Sequence, residues 1–180
     1  MMDSTKRTFD WTPTAETAAA SNLAAFVRHC GEADLDALSR RADADPAWLM
    51  TRVFEFCDFR FYQPPRQMLD TSRGLEWARW CVGGTTNIVL NCIDRHRGTP
   101  AWERPFLVWE GEDPAARRSL TYRDFDAEVC RLAGALRRLG VERGDRVGLY
   151  MPNLPETFIA FFAVLKIGAV VMPLFSGFGP

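Results

Sequence analysis

Only two lysines, Lys6 and Lys166, and two histidines, His29 and His96, occur in the 180 residues; the other 20 of the 22 basic side chains are arginine. The arginine bias reads as genome composition, and two histidines leave no Ser/His/Asp or Cys/His machinery to assemble. Excess charge of either sign is missing too, with a net charge of −1. That balance argues against nucleic acid or an anionic membrane as partner. No apolar run reaches the roughly 18 residues of a membrane span. The opening MMDSTKRTFDW has no apolar core of a secretory signal, and Asp3, Asp10 and Glu16 speak against a transit peptide. CxxC pairs are absent: Cys30, Cys57, Cys81, Cys92 and Cys130 are odd in number and irregularly spaced. Reduced thiols in a cytoplasmic protein are the reading. GxGxxG does not follow any strand-like run, which excludes a dinucleotide fingerprint.

Apolar residues make up 47% of the chain, enough for a real core, and the pattern is sharpest from Arg118 to Pro180. There strand-like and helical runs alternate twice and end on a third strand, the signature of a parallel α/β unit. Tyr122, Phe125, Val129, Leu132, Leu136 and Leu139 recur at helical spacing, with Thr121 as N-cap and Gly140 past the end. The spacing predicts a second helix, TFIAFFAVLKIGA, capped by Asn153 with Glu156 three residues on. It is apolar on every side except Lys166 and so belongs inside a larger body. Gly168 ends it. Ala169–Phe175 reads as a parallel strand covered on both faces.

Upstream the chain is helical and amphipathic. Residues 1–13 read as an arm that docks through Phe9 and Trp11. Helices are predicted over Thr14–His29, over Ala33–Ala42 and from Asp45-Pro46 onward. The aromatic run FEFCDFRFYQPP reads as glue between the helical part and the α/β part. Residues 63–74 read as a surface connection, GLEWARWCVGG as a loop, and Thr86 or Asn87 to His96 as a helix. RPFLVWEGEDP is a strand with Arg118–Leu120 as its hairpin return.

Gly83, Gly84, Thr85 and Thr86 superficially resemble a phosphate loop, but no Gly-Lys pair follows; a turn capping the next helix is the plainer reading. Cys92 and His96 share a helix face and could bind a metal, yet two ligands do not make a zinc site. Polar contacts from Asn91, Asp94, Arg95 and His96 that pin the helix are favoured instead, and no metal residues are assigned. Glu110 and Glu112 read as solvated surface. Catalytic residues are assigned nowhere. The segment from Phe175 to Pro180 follows the carboxyl end of a parallel strand, where open α/β sheets place ligand crevices.

Four segments in order, WARWCVGGTTNIVLNCIDRH, LTYRDF, GDRVGLYMPNLPE and KIGAVVMPLFSGFGP, resemble the N-terminal region of the AMP-forming acyl-CoA synthetases, in the acetyl-CoA synthetase branch of the adenylate-forming superfamily. The resemblance implies an α/β fold: a helical N-terminal cap followed by the first parallel βαβαβ unit. It implies a cap and connecting region over 1–103 and the first part of the AMP-binding domain over 104–180, ahead of the ATP phosphate loop. The whole enzyme would use ATP with magnesium, CoA and a short carboxylate whose identity stays open. The present chain would be inactive alone, bind none of these tightly, and need the remainder of the enzyme as partner. By the same resemblance Phe175, Ser176 and Gly177 are cofactor-binding residues facing CoA; a solvent-facing turn is the alternative there. A stand-alone, non-catalytic CoA-binding or interaction module is the alternative for the whole.

Overall fold

The computed structural model describes residues 11–113 and 115–174. They form two compact units, one from the chain up to Phe59 with Pro64–Gly84, the other from Arg60–Gln63 with the chain from Thr85 onward.

The first unit holds α1 (Ala15–Ala19), α2 (Asn22–Cys30), α3 (Leu35–Ala44) and α4 (Pro46–Phe56). The single helix expected over Thr14–His29 is two helices. Ser21 breaks it, because its backbone is extended and its hydroxyl accepts from the Ala24 amide at 3.1 Å, starting a new helix. Asp34 caps α3 in the same way, and Asp45 caps α4 with Pro46 in the first turn. Val27, Cys30 and Leu38 are buried together, with Phe26, Trp48 and Leu49 packed on them. Phe56 meets Phe26 edge-on at 5.3 Å, and the Arg41 guanidinium lies 3.9 Å from the Trp48 ring centre. The stretch expected as connection and loop is instead an antiparallel hairpin, β1 (Gln67–Asp70) with β2 (Arg79–Val82). Its strands are four residues each and carry charge, so no alternation betrays them.

The second unit runs through α5 (Ile88–Cys92), β3 (Pro105–Glu110), β4 (Arg117–Thr121), α6 (Tyr122–Arg138), β5 (Arg146–Leu149), α7 (Pro155–Ile167) and β6 (Val170–Pro173). Residues 85–103, which the sequence reading grouped with the cap, pack here: Val89 and Ile93 are buried against Phe125, Val129 and Ala163. Phe106, Phe125 and Phe162 form a ring cluster with centres 4.6 to 5.8 Å apart. The helix expected to His96 stops at Cys92 and continues as a 3₁₀ turn over Asp94–His96.

Strand, helix, strand, helix, strand follow one another from β4 to β6 as expected. Among the described residues only β5 and β6 pair in parallel; β4 pairs antiparallel with β3, its neighbour in sequence. Thr121 and Asp124 close a capping box on α6. At α7 the expected Asn153 cap is not used. Leu154 occupies the N-cap position without a side-chain bond, since Pro155 brings helical φ and no amide to satisfy. Glu156 instead accepts from Arg118 at 2.6 Å. Val170 and Met172 of β6 are 48% and 46% exposed, so the strand is not covered on both faces within these residues.

Candidate functional site

The carboxyl ends of β5 and β6 lie side by side. The Leu174 amide donates to the Leu149 carbonyl at 2.9 Å, which carries the parallel register to the edge of the sheet. Next to this edge the chain turns through Pro152–Leu154 into α7. The Thr157 hydroxyl donates to the Pro152 carbonyl at 2.5 Å, and the Trp109 indole donates to the Asn153 carbonyl at 2.8 Å. The hairpin β3–β4 therefore holds the loop that flanks the strand ends. Phe175, Ser176 and Gly177 lie outside the described residues.

A cluster of charge ties the helices of this unit together. Asp126, on the apolar side of α6, is 7% exposed, the sole buried charged residue among those described. Arg97 donates to it at 2.6 Å and Lys166 at 3.1 Å; Lys166 also donates to Asp94 at 2.8 Å. The Cys130 thiol, one turn along α6, donates at 3.6 Å to Asp126 Oδ1, the oxygen that Lys166 also holds. Burial disfavours the Asp126 charge, but the bonds from Arg97 and Lys166 outweigh it and hold the carboxyl below its ordinary 3.8. Burial likewise works against the Lys166 charge, and the two carboxylates outweigh it, raising the ammonium above 10.5. Two carboxylates and two cations thus close a neutral knot that joins the segment after α5 to α6 and α7. A lysine held protonated in this way is a tie, not a nucleophile.

Asn91 and Asp94, two of the four polar residues expected to pin the segment, do so. Asn91 accepts from the Arg60 amide at 2.7 Å and donates to the Arg60 carbonyl at 3.0 Å, and Asp94 holds Lys166. Asn87 caps α5 through the Val89 amide at 2.9 Å and reaches the Leu165 carbonyl at 2.7 Å. Thr86 donates to the Arg60 carbonyl at 2.8 Å. Gly83 has φ of 77°, the conformation of a turn. His96 stacks obliquely on Tyr122 at 4.8 Å; burial first, then Arg95 and Arg60, lower its pKa from 6.5. Burial also pushes the Cys92 thiol up. No group of three metal-ligating side chains occurs among the described residues. Asp126 and Arg97 escaped the sequence reading. The available signal was Lys166, the one charge beyond the first turn of an otherwise apolar helix, which calls for a counter-ion.

Two family models match successive stretches of the chain from residue 35 onward. One described as acetyl-coenzyme A synthetase N-terminus covers residues 35–92, and one described as AMP-binding enzyme covers 94–180. An acetyl-coenzyme A synthetase from Gemmatimonas aurantiaca is 42% identical over 149 residues, 81% of this chain and 21% of that protein. The chain belongs to the AMP-forming acyl-CoA synthetase family. Another acetyl-coenzyme A synthetase, from Methylorubrum extorquens, is 46% identical over 102 residues, 57% of this chain and 16% of its own length. The acetoacetyl-CoA synthetase from Streptomyces lividans superimposes with a TM-score of 0.83 at 30% identity, over 94% of this chain and 27% of that one. The chain therefore corresponds to an N-terminal portion of such synthetases and spans about a fifth of the curated relatives' length. No helix among the described residues is long and apolar enough to cross a membrane.

Proposed function

We propose that the chain is the N-terminal part of an enzyme that makes acyl-CoA in two steps. A short carboxylate attacks the α-phosphorus of magnesium-bound ATP, forming an acyl-adenylate and releasing pyrophosphate. The CoA thiol then attacks the acyl carbon, and AMP leaves with the electron pair of the broken C–O bond. The observation that carries this reading is the ordered abutment of the two family matches, cap then AMP-binding region. The adenylation domain is assigned from residue 94, where its family match begins, rather than from residue 104, and the cap lies before it. Within this chain, Phe175, Ser176 and Gly177 follow the β5–β6 edge and are assigned to the nucleotide half of CoA, the location expected of ligand crevices in open α/β sheets. The cytoplasm, where ATP and CoA are available, is the assigned compartment.

The test is pyrophosphate release with ATP and acetate, propionate or acetoacetate. The 180-residue chain should give none above the blank. A chimera carrying this chain in place of the aligned stretch of the Gemmatimonas aurantiaca synthetase should turn over. Turnover by the isolated chain, or an inert chimera that is folded, would sink the reading.

A further inference from the structure

An apolar groove of about 660 Å³ opens between α6, α7 and β5. Its walls are Leu132 and Leu136 of α6, Val147 and Leu149 of β5, and Ile159 and Val164 of α7. The carboxylates on its rim are already matched: Glu156 takes Arg118, and Glu128 takes Arg131. Such a rim offers no uncompensated charge to a charged peptide, and the floor offers no polar group to a water. An apolar concavity rimmed by charged side chains is a common form of binding surface.

The shape of the occupant follows from the strand beside it. β5 pairs with β6 on one side, and no strand among the described residues lies on its other side. Two strands are fewer than a sheet needs to stand by itself. A further strand on the open edge of β5 would pair with its free amides and carbonyls, and every second side chain of that strand would point the way Val147 and Leu149 do. The source of the strand follows from length. The chain spans 21% of one synthetase relative and 27% of another, so most of such a polypeptide is available to supply it.

We infer that this groove is the docking surface for the rest of the synthetase polypeptide, filled by the apolar side chains of a β-strand that pairs with the free edge of β5. The inference rests on the reading under Proposed function, and its test separates the two.

Ala135 also lines the groove, while Leu139, one turn on along α6, is 82% exposed. Ala135→Cys and Leu139→Cys are placed in turn in the 180-residue chain and in the chimera described above. Thiol labelling is then read peptide by peptide, which separates the new thiols from the five native ones. The Ala135→Cys thiol should label at least about ten-fold more slowly in the chimera than in the chain alone. The Leu139→Cys thiol should label at similar rates in both. Amide hydrogen exchange at Arg146 and Gly148, whose amides face away from β6, should slow in the chimera if the occupant is a strand. Equal labelling of the Ala135→Cys thiol in chain and chimera would overturn the inference. Unchanged exchange in β5 beside a protected groove would overturn the strand. Protection already present in a dimeric 180-residue chain would assign the groove to a second copy. An active chimera with an open groove sinks this inference alone; an inert chimera with a covered groove sinks the enzyme reading alone.

Discussion

The Lys166 ammonium lies 3.1 Å from the buried Asp126 carboxylate, joining the last turn of α7 to α6. Lys166→Met leaves Asp126 with Arg97 as its one cation and leaves Asp94 without its lysine. Removing one partner from a buried ion pair costs about 3 kcal/mol, and Arg97 keeps the loss toward the lower end of that scale. Urea unfolding should show a lowered midpoint with the slope unchanged. The double variant with Asp126→Asn should lose less than the sum of the two single losses, because the pair is removed as a unit.

The same knot sets the response to acid. The folded pKa of Asp126 is below its ordinary 3.8, so its contribution is complete above 3.8 and is lost as pH falls through the lower folded value. His96 also has a folded value below its ordinary 6.5, so its share is complete above 6.5 and is lost as pH falls through that depressed value. Stability followed from neutral pH into acid should decline in two stages. His96→Gln should remove the first stage, and Asp126→Asn should weaken the second.

Asn87 works at both ends of its side chain, capping α5 and holding the Leu165 carbonyl. Asn87→Ala removes a helix cap worth about 1 kcal/mol and a hydrogen bond worth about as much. A loss of about 2 kcal/mol in equilibrium unfolding is expected. Thr121→Ala, which removes only the cap of α6, should cost about half of that, and Thr121→Ser should restore most of it.

Gly168 ends α7 with φ of 87°, and a Cβ there would meet the Arg143 side chain at 3.2 Å. Gly168→Ala should destabilise by about 1 kcal/mol or more, read as a drop in Tm, because the left-handed conformation is costly for any residue with a Cβ. Gly134, inside α6 with no close neighbour but the Arg138 side chain at 3.6 Å, should respond oppositely. Gly134→Ala should stabilise by a few tenths of a kcal/mol to about 1 kcal/mol.

What could be read from sequence was what is decided locally. Thr121, the Asp45-Pro46 pair and Gly168 mark helix ends by their own chemistry, and the structure uses each as such. The β1–β2 hairpin was illegible, since Leu69 meets Trp80 only once a long turn has closed. Asn153 was misread because Leu154 and Pro155 can open α7 without a side-chain cap. Asp126 carries no local signal of its own; its meaning comes from Lys166, 40 residues on, and Arg97, 29 residues back. β5 and β6 were legible from their apolar runs, whereas the charged knot depends on packing that no local pattern encodes.

The parallel pairing of β5 with β6 also fixes an order of events. The β1–β2 and β3–β4 hairpins can close as soon as their own strands leave the ribosome. β5 cannot: its partner arrives only after all of α7 has been made and folded back. Through that interval Val147 and Leu149 have only α6 to shelter them, and a nascent chain in that state is a natural client for a chaperone.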